Sequence, residues 1–191
     1  MASRTRERIL DAATALFYEE GILATSMDRV IAEAEVAPMT VYRQFGGKDE
    51  LVAATLERRS AGWLRWLRDE VEGPGDEPVP SLAPLWDAVE KWFAAERFRG
   101  SYVANAATEL RSRPGHPAHR VIGAHRAAMR QLLEDVARTA GASRPEVVAL
   151  QLQMLIDGTT TVAVVDRQPG VAAGARAMAG ALLDRQGLAD R

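Results

Sequence analysis

Residues 25–48, TSMDRVIAEAEVAPMTVYRQFGGK, constrain this chain more than any other stretch. Val30, Ile31 and Ala34 recur at helical spacing, and so do Val41 and Phe45, four apart. Pro38 and the pair Gly46-Gly47 forbid one continuous helix. The stretch therefore predicts two short helices. The first starts after Thr25 or Ser26 and ends near Ala34; the second runs from Pro38 to about Phe45. The turn AEVAP joins them. Thr25 and Ser26 both suit an N-cap. Pro38 suits a first turn, because it lacks an N–H that a helix start would leave unpaired.

The flanking sequence repeats the pattern on a larger scale. Ile9, Ala13, Leu16 and Phe17 predict a helix over residues 4–20, ended by Gly21. Another helix is predicted from Lys48 to about Val71, with Asp49 and Glu50 in its first turn, where they complement the dipole. Residues 73–80, GPGDEPVP, read as a loop. Leu82, Leu85, Trp86, Val89, Trp92 and Phe93 mark the apolar side of the next helix. Further helices are predicted over about 101–111, 118–140, 143–165 and 171–185, with a break at Gln168-Pro169-Gly170. No alternating strand pattern of convincing length is present. The predicted fold class is all-α, with about nine helices.

Charge narrows the function classes. The 191-residue chain has a net charge of −2, so it is no generic polyanion binder. Residues 1–50 hold six cations (Arg4, Arg6, Arg8, Arg29, Arg43, Lys48) against nine anions, a net −3. A nucleic-acid contact there must rest on a few placed groups. No cysteine is present, which excludes disulfides and thiolate metal sites. His116 and His119 lie three apart without an obvious carboxylate partner, so no metal and no cofactor is expected. Glu109 and His125 could act as acid and base, but nothing supplies a nucleophile or an oxyanion site, so the chain does not read as an enzyme. The charged N-terminus lacks a signal-peptide core, and no uninterrupted apolar run approaches the roughly 20 residues that span a bilayer. The expectation is a cytoplasmic protein with no membrane partner.

The two short helices suit DNA. A helix-turn-helix needs a short first helix, a tight turn, and a second helix with polar residues outward and apolar anchors inward. On the second helix Met39, Thr40, Tyr42, Arg43 and Gln44 are the outward candidates. Arg43 can form the bidentate contact to guanine, and Met39 can pack on a thymine methyl. Thr40, Tyr42 and Lys48 suit phosphate oxygens, as do Thr25 and Ser26 at the start of the first helix. Pro38 completes the candidate DNA-binding set. The alternative reading is that Tyr42 and Arg43 merely cover a three-helix core.

Gly21, Thr25, Ala34, Val36, Thr40-Val41-Tyr42, Phe45, Lys48 and Leu51 resemble the N-terminal signature of the TetR family of bacterial transcriptional regulators. Arg8-Ile9-Leu10, Ala13 and Leu16-Phe17 extend the resemblance, which covers about residues 6–52. It implies a three-helix DNA-binding domain over residues 1–50 and a helical ligand-binding and dimerisation domain over residues 51–191. It also implies a homodimer on a palindromic operator, most often a repressor released by a small molecule. Two positions depart from the family. Glu35 stands where the family usually has glycine, at a cost of up to about 1–2 kcal/mol if the residue is left-handed. Ala37 stands where a Ser or Thr cap is common.

Trp63, Trp66, Trp86, Trp92, Phe93, Tyr102, Met129 and Met154 are candidates to line a cavity for an aromatic or apolar ligand. Asn105, Glu109, His125 and Asp157 could supply its polar groups. Plain core packing is the competing reading of each. Gly174, Ala177, Gly180 and Ala181 lie along one side of the last helix, and by resemblance the last two helices pair with their copies across a two-fold axis. A second function class is a small-molecule-binding helical protein or enzyme without DNA binding; the acidic balance of residues 1–50 speaks for it.

Overall fold

Alanine, leucine and arginine fill the periodic stretches, and these residues form helix wherever glycine and proline do not interrupt them. The computed structural model describes residues 2–73, 81–167 and 170–189. Among these the regular structure is nine α-helices and no strand. They are α1 (Ala2–Glu19), α2 (Met27–Ala34), α3 (Pro38–Phe45), α4 (Lys48–Glu72), α5 (Ala83–Phe93), α6 (Tyr102–Glu109), α7 (Ala118–Thr139), α8 (Pro145–Val165) and α9 (Val171–Ala189). The all-α expectation holds, and α3 has the bounds its proline and glycine foretell. Most of the predicted loop at 73–80, and Gln168-Pro169, lie outside the described residues.

The chain packs as two units that interleave in sequence. The first comprises residues 1–62 and 101–125, the second residues 63–100 and 126–191. Helices α4 and α7 each contribute residues to both. The helix-turn-helix therefore shares its core with more than α1. Ile9, Leu16, Phe17, Val30, Val41, Phe45 and Leu51 pack with Tyr102, Val103 and Ala106 of α6 and with Ala118 and Val121 of α7.

In the second unit, Leu67, Leu85, Trp86, Leu133, Val148, Leu152, Ala175 and Ala179 belong to one apolar cluster. Helix α8 is long and apolar enough by composition to cross a membrane. Core helices meet the same criterion, and Val148, Ala149, Leu152, Gln153, Ile156, Thr159 and Thr160 of α8 are buried within this chain. Leu150, Met154, Val164 and Val165 of α8 and Met178 of α9 are nevertheless exposed.

Candidate nucleic-acid and ligand sites

The recognition surface begins with the loop before α2. Gly21 ends α1 with φ +95, a region that favours glycine. A Cβ there would lie 3.2 Å from Glu109 Oε2. The same carboxylate oxygen accepts the Leu23 N–H at 2.9 Å. Lys48 Nζ donates to the Leu23 carbonyl at 3.5 Å. Thr25 is 1% exposed, and its hydroxyl donates to Gly21 O at 2.7 Å. Thr25 is thus a correction to the candidate DNA set: its hydroxyl closes the loop instead of facing a phosphate. Ser26 caps α2, accepting the Arg29 N–H at 3.1 Å, and stays exposed.

The turn between α2 and α3 carries the strain its sequence implies. Glu35 adopts φ 50, ψ 50, the left-handed region. Its N–H points back at the Ala32 and Ile31 carbonyls. Arg8 of α1 supplies what the turn lacks: its Nη2 donates to Ala34 O at 2.8 Å and to Glu35 O at 2.7 Å. A guanidinium therefore binds two carbonyls at the negative end of α2, where a cation is favoured. Glu35→Gly is expected to stabilise the protein by about 1 kcal/mol, since relief of left-handed strain outweighs glycine's extra chain entropy. Urea denaturation should show a higher midpoint at unchanged slope; an unchanged or lower midpoint would contradict the strain.

Helix α3 starts from Ala37 without a side-chain cap and has proline in its first turn. Val41 and Phe45 are buried, while Met39 is 76% and Tyr42 43% exposed. Pro38 and Arg43 are exposed and Thr40 half-exposed. Gln44 departs from expectation, because its Oε1 is buried without a hydrogen-bond partner. It lies three residues after Val41, on the flank of the inward stripe.

The cations divide into two groups. Arg29 pairs with Glu33 at 2.9 Å and with Glu20 at 3.4 Å. Arg8 is committed to the turn. Lys48 is half-buried against the loop, and burial, reinforced by Arg113, pulls its ammonium below the ordinary range. Arg4 and Arg43 are exposed and pair with no carboxylate among the described residues. Arg6 lies over the Phe45 ring, 4.6 Å from its centroid, at the end of α3. Charge counting gave no sign of this division, since it treats Arg8 and Arg43 alike.

A buried histidine braces the start of α4. His116 Nδ1 accepts the Ala118 N–H at 3.1 Å, and Nε2 lies 3.3 Å from Asp49 Oδ1. Arg113 meets Asp49 Oδ2 at 2.7 Å. Burial pulls the His116 imidazole below its usual range; Asp49 opposes the shift, and Arg113 and His119 add to it. The unfolded chain, with a histidine pKa of about 6.5, takes up the proton first as pH falls. His116 therefore contributes stability above about pH 6.5 that is lost toward its lower folded pKa. His116→Asn keeps an acceptor near Nδ1 but does not titrate. Between about pH 7 and pH 5 the wild type should lose more unfolding free energy than this variant; parallel losses would remove His116 from the pH response.

The candidate ligand residues separate between the units. Trp63, Trp66, Trp92 and Phe93 form a half-buried aromatic cluster with Phe98, with centroids 5.0–6.2 Å apart. Trp86 and Met129 are buried in the core of the same unit. The others are corrections. Tyr102 is buried in the first unit, and its hydroxyl donates to Thr55 Oγ1 at 3.2 Å. Glu109 holds Leu23. His125 Nδ1 lies 2.8 Å from Ser60 Oγ in the first unit. Asn105 is exposed. Asp157 pairs with Arg126 at 2.7 Å near the surface. Met154 is 61% exposed, because Gln153 takes the inward position one residue earlier.

Comparison with known proteins agrees with this geometry. The family model for bacterial regulatory proteins of the tetR family matches residues 9–55. An HTH-type transcriptional repressor of Mycobacterium tuberculosis is 44% identical over 62 residues, 32% of this chain and 33% of that protein. An HTH-type transcriptional repressor of Streptomyces coelicolor is 40% identical over 55 residues, 29% of each. The match thus spans about a third of these relatives' length. A solved TetR-family transcriptional regulator of Streptomyces coelicolor superposes with a TM-score of 0.85 at 28% identity, covering 96% of both chains.

Proposed function

Because this chain belongs to the TetR family of bacterial regulatory proteins, we propose that it is a cytoplasmic DNA-binding transcriptional regulator and not an enzyme. It acts as a homodimeric repressor released from a palindromic operator by a small molecule. Residues 1–50 carry the DNA contact and residues 51–191 the ligand and dimer contacts. One observation carries the reading: α3 exposes Met39, Tyr42 and Arg43 while Val41 and Phe45 anchor it in the core. Arg43 reads a base edge; Thr40, Tyr42, Ser26, Pro38 and the start of α2 meet the backbone. Arg6, exposed on α1 and seated over Phe45 at the end of α3, adds a phosphate contact.

Dimerisation uses the exposed apolar side of α8 and α9. Leu150, Met154, Val164, Val165 and Met178 face outward there, as do Gly174, Ala177 and Ala181. Small residues let two helices approach closely, and the two-fold partner presents the same surface. Two recognition helices about 34–36 Å apart then meet successive major-groove faces of the operator. Helix α4 runs on from α3 through Gly46 and Gly47, so a ligand that displaces α4 changes that spacing. Release requires the ligand to prefer the non-binding arrangement by a few kcal/mol.

The test is selection of duplexes from a random pool at moderate salt. A two-fold symmetric consensus is expected. Enrichment without symmetry would remove the dimeric reading, and no enrichment would favour a ligand-binding protein without DNA binding, for which the net −3 of residues 1–50 speaks.

A further inference from the structure

We propose that Glu109 of α6 is a positioning residue for DNA binding. It does not touch the duplex. It fixes the α1–α2 loop and, through it, the placement of the first turn of α2 on the phosphate backbone. This role rests on the reading of the chain as a DNA-binding regulator and adds to it a residue from outside residues 1–50.

The tip of the α1–α2 loop carries the inference. Ile22 and Thr25 are buried and seat the two ends of the loop, whereas Leu23, 55% exposed, and Ala24 lie open between them. Side-chain packing therefore does not fix the tip; polar contacts do. The Leu23 N–H donates to Glu109 Oε2 at 2.9 Å, and the Leu23 carbonyl accepts more loosely from Lys48 Nζ at 3.5 Å. Consecutive peptide groups are thus held from α6 and from the first residue of α4. The Glu109 carboxylate also lies near enough to attract the Lys48 ammonium. Gly21 makes room for it: a Cβ there would stand 3.2 Å from Glu109 Oε2, closer than a Cβ ordinarily approaches. Thr25 closes the loop on the Gly21 carbonyl, and Ser26, next in the chain, caps α2. A shift of the Leu23 peptide is therefore passed directly to that cap. Without its ties, an exposed tip of this kind opens locally at little cost.

The sign of the effect separates positioning from plain electrostatics. Glu109 is an anion beside the loop that leads to the phosphate-facing turn. By Coulomb's law alone, its removal strengthens binding to every duplex, most of all at low salt. Positioning predicts weaker binding wherever the bond to Leu23 is lost. Two variants divide the bond from the charge. Glu109→Gln keeps an acceptor at the same reach and drops the charge. Glu109→Asp keeps the charge and is one methylene too short for Leu23.

The test is anisotropy of the full chain and both variants at about 0.15 M salt. The duplexes are the symmetric operator selected from the random pool and a scrambled control. Amide exchange at Leu23 is read on the same proteins. Glu109→Asp should weaken operator binding by about tenfold, the loss of one charge-assisted hydrogen bond, and should speed Leu23 exchange while the protein stays folded. Glu109→Gln should stay within about threefold of wild type or bind more tightly. Wild-type operator affinity or unaltered Leu23 exchange in Glu109→Asp would overturn the role. If Glu109→Asp does not fold, Glu109→Ala serves: it loses bond and charge together and should still weaken operator binding, where electrostatics alone predicts tightening. A wild type that binds the operator no better than the scrambled duplex sinks the regulator reading and this role with it. Specific binding that survives loss of the bond sinks this role alone.

Discussion

Arg43→Ala is expected to cost roughly 1–3 kcal/mol per half-site on a selected operator and to flatten preference at one base pair. Affinity for unrelated duplex should change far less. Arg43 is exposed on α3 and pairs with no carboxylate among the described residues, so its guanidinium is available for a base edge. Competition anisotropy against single-base operator variants checks this. Equal losses on every sequence would make Arg43 a phosphate contact. Lys48→Ala should behave differently from the expectation of a simple phosphate ligand. Its ammonium is half-buried and donates to the Leu23 carbonyl, so the variant should also lose stability.

Arg8→Ala should destabilise the protein by about 2 kcal/mol and weaken operator binding as a consequence. A hydrogen bond to a charged group contributes about 1.5–3 kcal/mol, and because one of these two is exposed to water the pair together is held to about the value of one. The variant strips the partner from Ala34 O and Glu35 O at the turn that sets the angle between α2 and α3. Arg8→Lys should recover only part of the loss, because both bonds come from Nη2 and a lysine side chain is one atom shorter than the path to that nitrogen. Urea denaturation reads the stability. A midpoint equal to wild type would show that solvent serves these carbonyls as well as Arg8 does. Arg8→Ala and Glu35→Gly act on one turn, so their effects should not add.

The helices were legible because local chemistry decides them. Pro38 and Gly46 bound α3, and Gly21 and Gly141 end their helices with positive φ. The left-handed conformation at Glu35 was legible as a conditional, from one residue standing where glycine is usual. What holds that residue was not, because Arg8 is 27 positions away. Glu109 and Leu23 are 86 apart, and no periodicity connects them. The ligand residues were the least legible for another reason. Helix α8 is apolar on nearly every side, so spacing alone does not separate its core face from its outer face. Met154 read as a lining residue is exposed, and Gln153, a polar residue in an apolar helix, is the buried one. Two amides, Gln151 and Gln153, flank Leu152 in that run, and only the structure tells which of them is buried.

The central claim is that α3 reads DNA sequence. The most direct measurement is the affinity of the wild-type protein for a selected symmetric operator and for a scrambled duplex of equal length, both by anisotropy at about 0.15 M salt. A specificity ratio of about 10³ or more is predicted. Equal affinity for the two duplexes would contradict it.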